Sequence, residues 1–155
     1  MIKAGAGPSL SITVPLFIIV NIVSISTALL VSFYRGKLLD KTVLILSIAM
    51  MSIPSLAYIL FGQWYFAYTL GWFEISGYEA GFPNFIPYTI LPVLLYIAIS
   101  WGPDTRFYRS VILDEVYQDY VRTARAKGVG ELSIMFKHVL KNAMIPILTL
   151  SLIHI

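Results

Sequence analysis

The side chains able to do chemistry in this chain gather in one stretch, Asp114 to Pro146. Arg122, Arg125, Lys127, Lys137 and Lys141 lie there, with Asp114, Glu115, Asp119, Glu131 and His138 among them. The mixture suits ion pairing and docking rather than bond making. His138 has no carboxylate or second histidine at metal-ligand spacing, so it reads as an interface or headgroup residue. No nucleophile–base constellation or metal pair stands out elsewhere. The chain has no cysteine, which excludes disulfides and thiolate metal sites.

Two short helices must position this stretch. Val116, Tyr117, Tyr120, Val121 and Ala124 recur at helical spacing and predict one helix over Asp114 to Lys127. Its acids, Asp114 and Glu115, come first and its bases, Arg125 and Lys127, come last, as the helix dipole favours. Gly128 and Gly130 are expected to stop it, because glycine readily takes the left-handed C-cap conformation. A second helix is predicted from Glu131 to about Asn142. Leu132, Met135, Phe136, Val139 and Leu140 would form its apolar face, opposite Lys137, His138 and Lys141. On these residues alone two uses stay open. The pair can lie on a bilayer with its basic side chains snorkelling, or it can plug into a partner's groove.

The rest of the chain is apolar. It has 155 residues, 58% hydrophobic and 12% charged, with a mean hydropathy of +0.81. A soluble domain averages about 25% charged residues, and several runs here reach the roughly 20 residues that cross a bilayer. These features predict a polytopic membrane protein. No signal-peptide pattern, internal repeat or low-complexity tract is evident. Spans are expected over about 9–33, 42–68 and 89–112, with a fourth starting near 143. Pro54 should kink the second, and Gln63, Trp64, Tyr65 and Tyr68 form an aromatic belt at its far end. The third continues through Gly102 and Pro103. Residues 71–88, with Gly71, Gly77, Gly81, Pro83 and Pro87, read as a loop.

Lys and Arg set the orientation. Arg35, Lys37 and Lys41 fall in one connection, and Arg106, Arg109 and the basic residues of the 114–142 insert fall in another. The 71–88 loop has neither type, only Glu74 and Glu79. The positive-inside rule puts both basic connections in the cytoplasm and the 71–88 loop outside. Lys3 is the one exception. The net charge of +3 therefore reflects topology, and no nucleic-acid partner is expected. Asn21 and Gln63 are read as helix–helix hydrogen-bonding residues rather than path-lining ones. Asp104 is expected near a membrane boundary, pairing with Arg106 or capping a helix. The apolar cores carry no ionisable group, so an ion-coupled carrier or a membrane-embedded enzyme is the weaker alternative.

One resemblance separates the uses left open for the insert. The chain resembles ABC-importer permease subunits of the oligopeptide/dipeptide family. The general EAA pattern of such permeases is Glu-Ala-Ala, three residues, Gly, nine residues, then Ile-x-Leu-Pro. Only Ala124, Gly128 and Leu140 match it literally. The peptide-permease variant is followed closely by Glu115, Val116, Tyr120 to Gly128, and Lys137 to Pro146. Met51-Ser52-Ile53-Pro54 is similar to the family's second-span proline motif.

The resemblance implies an all-α integral membrane protein, a polytopic helical bundle of the type I ABC-importer permease kind, truncated at both ends. It makes 114–142 an EAA-type coupling loop that docks on an ABC ATPase and turns its closure into alternating access, a rigid-body change. Tyr120, Val121 and Ala124 would supply an apolar anchor, and Gly128 a turn where side-chain bulk is not tolerated. Arg122, Arg125 and Lys127 would steer and pair with the ATPase, each exposed pair contributing about 0–1 kcal/mol. Pro54, Gly130 and Pro146 would be structural. The implied partners are the ATPase, a second permease subunit, an extracytoplasmic solute-binding protein that Glu74 and Glu79 could touch, and the lipid bilayer. ATP and magnesium would sit on the ATPase, with no cofactor and no catalysis in this chain. The implied location is a bacterial plasma (inner) membrane, and the cargo stays open among peptides, nickel, glutathione and other small solutes.

Family members are about twice as long, so the chain is expected to be an internal piece. Residues 150–155, Leu-Ser-Leu-Ile-His-Ile, also spell what one reading frame of a common transposase sequencing adapter encodes. The native sequence is expected to diverge near Leu150. Residues 150–155 are accordingly given no function, His154 included.

Overall fold

The computed structural model of this chain describes residues 2–75, 77 and 83–153, with side chains from Ser9 onward save Ser11. Glu79, Gly81 and His154, and the side chain of Lys3, lie outside what is described. Helix α1 runs Ile2–Phe33, α2 Leu38–Met51, and α4 Ile86–Val116. Between them α3 spans Ser55–Thr69, and after them come α5, Asp119–Ala126, and α6, Glu131–Ile153. No strand occurs among the described residues. The Ile12–Phe33 part of α1, α4 and α6 are each long and apolar enough to cross a membrane. Helices α2 and α3 pass the same test as a bent pair.

Helix α4 is the hub, and α1, α2, α3 and α6 all pack on it. Tyr108, Ile112 and Val116 of α4 face Val139, Ala143 and Ile147 of α6 in one buried cluster with Ala28 of α1. Both stripes repeat every four residues, the spacing that keeps side chains on one helix face. Small residues let the helices approach: Ser24, Ala28, Ser32 and Thr105 are buried between α1 and α4. At Gly102 a Cβ would lie 3.0 Å from the Ser47 carbonyl oxygen of α2, so any side chain there would press on the α2 backbone.

The second span is more than kinked. Its two halves meet at 82° across Ser52–Pro54. Pro54 has no N–H to offer the carbonyl of Met50, and its ring pushes the preceding residue out of helical geometry. The hydroxyl of Tyr58 donates to that freed Met50 oxygen at 3.0 Å, and Ile53 N–H shares it at 3.3 Å. The break is thus stabilised by its own sequence.

Two further boundaries differ from expectation. The helix predicted over Asp114 to Lys127 is two helices, because Gln118 is extended (φ −69°, ψ 152°). Asp114 and Glu115 finish α4, and the corner folds α5 back against α6 instead of carrying it away from the bundle. The helix predicted over Glu131 to Asn142 does not end there. It runs on into the fourth apolar segment as one helix, Glu131–Ile153, with Pro146 inside it.

Its predicted apolar face is also shifted. Ile134, Met135 and Val139 are buried, whereas Leu132 and Phe136 are exposed. The turn is widened to a π-type winding over Ile134–Val139, and more than four residues per turn rotate the inward stripe away from its 3.6-residue phase.

The bundle has two distinct ends. Ile12, Gln63, Glu74, Gly77 and Tyr88 line one cavity at the first. Arg35, Arg125 and Glu131 gather at the other, with Phe33 and Val116.

Candidate functional site

The site is built on α5 and the turn that follows it. Val121 is fully buried and Ala124 is 6% exposed, both within the chain's own core. Tyr120 is half-buried, and its hydroxyl donates to the Glu115 carboxylate. Burial first, and then that carboxylate, push the Tyr120 phenol above its ordinary value. The anchor expected of Tyr120, Val121 and Ala124 therefore grips this bundle. A docking face at Ala124 is displaced by that packing, because the residue is already covered by this chain.

What α5 presents outward is polar. Arg122, Thr123, Arg125 and Lys127 are exposed. Arg122 reaches Asp119 at 3.3 Å across the surface. Arg125 forms a fork on Glu131, its Nε donating to one carboxylate oxygen at 2.7 Å and Nη2 to the other at 3.1 Å. That hydrogen bonding holds the Glu131 carboxyl below its ordinary range.

Gly128 closes α5. Its φ is +78°, its N–H donates to the Arg125 carbonyl at 2.9 Å, and Val129 N–H donates to the Ala124 carbonyl at 3.2 Å. These are the paired bonds of a left-handed Schellman cap. Nothing lies within 4 Å of where a Cβ would be, so within this chain glycine is required by backbone conformation and not by lack of room. Gly130 plays no such part. Its φ of −63° suits any residue, and its role is to lead into α6, accepting Ile134 N–H at 3.0 Å. His138 is half-exposed on α6, and no cluster of three or more metal-ligating side chains occurs among the described residues.

Sequence reasoning missed the fork that holds the other basic connection. Arg109 Nε donates to Asp40 Oδ1 at 2.7 Å and Nη2 to Oδ2 at 2.8 Å. Gly36, at φ +76°, donates its N–H to the same Oδ2 at 2.8 Å. The Asp40 side chain is only 4% exposed. In the sequence Arg109 reads only as an orienting charge. The available signal was Asp40 itself, the sole acid between Arg35 and Lys41. Nearby, the Arg35 guanidinium stacks over the Tyr117 ring at 5.0 Å, joining the first connection to the α4–α5 corner.

Asn21 and Asp104 also take definite places. Asn21 Oδ1 forms a triangle with the Tyr108 and Ser151 hydroxyls, with edges of 3.0, 2.6 and 2.8 Å. This is the interhelical bonding expected of Asn21, with Ser151 of α6 as a further partner. Asp104 is not at a helix end. It is 8% exposed in mid-α4, facing α1, whereas Arg106 points outward toward Met51. Helix α4 passes straight through Gly102 and Pro103, as expected of the third span, and ends at Val116.

Residues 20–155 match the family described as the binding-protein-dependent transport system inner membrane component. This chain belongs to that family. Similar proteins include a Brucella suis biovar 1 protein named as a peptide permease. It is 31% identical over 155 residues, covering 97% of this chain and 49% of the relative. A glutathione transport system permease protein of Shigella flexneri serotype 5b is 31% identical over 143 residues, covering 92% and 45%. An oligopeptide transport system permease protein of Bacillus subtilis is 33% identical over 149 residues, covering 88% and 47%. The chain spans about half the length of the curated relatives it matches. Family membership and the apolar helices make it a multi-pass membrane protein of the permease type.

Proposed function

We propose that this chain forms part of the permease subunit of an ATP-driven importer for peptides or similar small solutes, in a bacterial inner membrane. Its cytoplasmic loop, residues 114–142, would couple closure of an ABC ATPase to alternating access. ATP and magnesium would act on that ATPase, and this chain would perform no chemistry of its own. A second permease subunit and an extracytoplasmic solute-binding protein would complete the assembly.

One observation carries the proposal: the construction of α5. It is short, ends in a Schellman cap at Gly128, and is welded to the bundle by Val121 and Ala124. Its outer edge offers Arg122, Arg125 and Lys127. Force applied to that edge reaches the core of α4 and α6 through rigid contacts, which is what a mechanical coupler requires. The names of the relatives support peptide-type cargo.

Gly128→Leu in the parent transporter tests this. The left-handed cap disfavours any Cβ, so the turn shifts while the spans do not. The variant should insert and co-purify with the ATPase, and it should hydrolyse ATP without moving cargo. Unchanged uptake would overturn the coupling role.

A further inference from the structure

A groove of about 290 Å³ runs between the last turns of α1 and the first turns of α6. Leu30 and Phe33 line one wall, and Leu132, Met135 and Phe136 line the other. Residues three and four apart share a helix face, so each wall is one face of its helix. Leu30, Phe33, Leu132 and Phe136 remain exposed. The apolar stretch of α1 ends at Phe33 and that of α6 begins at Glu131. The groove therefore lies at the edge of the hydrocarbon layer, where lipid tails give way to headgroups. A tail gains little by leaving bulk lipid for such a groove, because it is already in surroundings as apolar as leucine. Selection among lipids must come from the headgroup.

Cations stand at that edge. The Lys37 ammonium lies 5.1 Å from the centre of the Tyr34 ring, and Tyr34 itself lines the groove. Arg35 lines an adjoining polar pocket that shares Phe33 and Met135 with the groove. That pocket also holds Arg125 and Glu131, which are forked on each other. Glu131 feels the charge of Arg35, but neither Arg35 nor Lys37 forms an ion pair among the described residues. Aromatic rings hold both cations without neutralising them, Arg35 over Tyr117 and Lys37 over Tyr34. With Arg125–Glu131 and Arg109–Asp40 closed on themselves, these two charges are left over beside an open apolar groove. Basic residues placed between spans at the membrane's edge suit anionic headgroups.

We propose that this groove holds an anionic phospholipid, with one acyl chain against Phe33 and Phe136 and its phosphate headgroup on Arg35 and Lys37. The proposal needs only that the chain spans a membrane, and it goes beyond the importer reading without resting on it.

The test places a tryptophan reporter, Phe136→Trp, in the parent transporter reconstituted in phosphatidylcholine vesicles. Phosphatidylglycerol or phosphatidylcholine brominated in its tails is titrated in, and the quenching gained over the transporter without the reporter is read. Each basic residue near a headgroup favours an anionic lipid by about fivefold. Brominated phosphatidylglycerol should therefore quench at least about tenfold more effectively than brominated phosphatidylcholine. Lys37→Gln, at an exposed position, should cut that preference about fivefold. Arg35→Gln combined with Lys37→Gln should bring the two lipids near parity, and Arg35→Lys should keep the preference. Equal quenching by both lipids in the reporter protein would overturn the proposal, leaving bulk lipid against the groove. A preference that survives loss of both cations would overturn it as well. So would an absence of quenching by either lipid, since another part of the parent or a partner would then cover the groove. Release of the phosphatidylglycerol by inorganic phosphate would assign the pocket to a free anion and contradict the lipid.

Discussion

Two arginine–carboxylate forks, alike in chemistry, sit among the basic connections of this bundle in opposite settings. Arg109–Asp40 and Arg125–Glu131 both close at 2.7 Å, and both are two-pronged. The first is enclosed: the Asp40 side chain is 4% exposed and takes a third bond from Gly36. The second is open, with side chains 38% and 53% exposed. Burial decides what each does. An enclosed pair cannot exchange its partner for water, so it fixes how the α1–α2 corner seats on α4. An open pair can, so it trims the α5–α6 turn without holding the fold, and it leaves its arginine available to another molecule.

The largest effect should come from cutting the enclosed fork. Arg109→Ala or Asp40→Ala strands one buried charge, which costs about 3–5 kcal/mol. Unfolding of detergent-solubilised protein should show that loss. A double replacement, Asp40→Asn with Arg109→Met, should recover much of it, since a neutral pair leaves no uncompensated charge. If each single variant unfolds like the parent, the two forks are equivalent and the contrast fails.

Ala124→Asp comes next. It places a carboxylate in the α5–α6 contact, where burial of an unpaired polar group costs about 2 kcal/mol or more. The loop should become cleavable by protease while the spans stay protected. Protection of the loop would mean that α5 does not pack as described.

Much of this contrast could not be seen in the sequence. The apolar runs, the Pro54 break and the Gly128 cap were legible because each depends on local chemistry: hydrocarbon length, a missing N–H, a backbone that wants φ above zero. Asp40–Arg109 was not, since its partners are 69 residues apart and only packing brings them together. The face of α6 was misjudged for a related reason. A π-type winding changes the period, and nothing in Ile134–Val139 announces it. The α5 face was legible as apolar, but periodicity does not say which body an apolar face meets. Asp104 looked like a boundary residue because it follows Pro103 and lies two residues from Arg106, and only packing shows it buried in mid-helix.

Gly128→Ala sharpens the comparison at a smaller scale. A Cβ at φ +78° costs about 1–2 kcal/mol, felt only by the turn, so hydrogen exchange should quicken at Arg125 to Val129 and nowhere in α4.

The smallest effect belongs to the open fork. Glu131 is held below its ordinary value by Arg125, so its contribution is complete above the ordinary glutamate range. It is lost as pH falls through the lowered folded value. Solvent screening keeps this well under about 1 kcal/mol. Glu131→Gln should remove that acid-side dependence while barely changing stability near neutrality. A loss comparable with Arg109→Ala would erase the distinction between the forks.

The most direct measurement is which side of α5 meets the ATPase. The 155 residues contain no cysteine, so single cysteines at Val121 and Lys127 can be placed without background from this segment and cross-linked in the assembled transporter. Lys127→Cys should join the ATPase, and Val121→Cys, buried against α6, should not. ATPase cross-linking through Val121→Cys with none through Lys127→Cys would contradict the packing of α5 and the coupling role built on it.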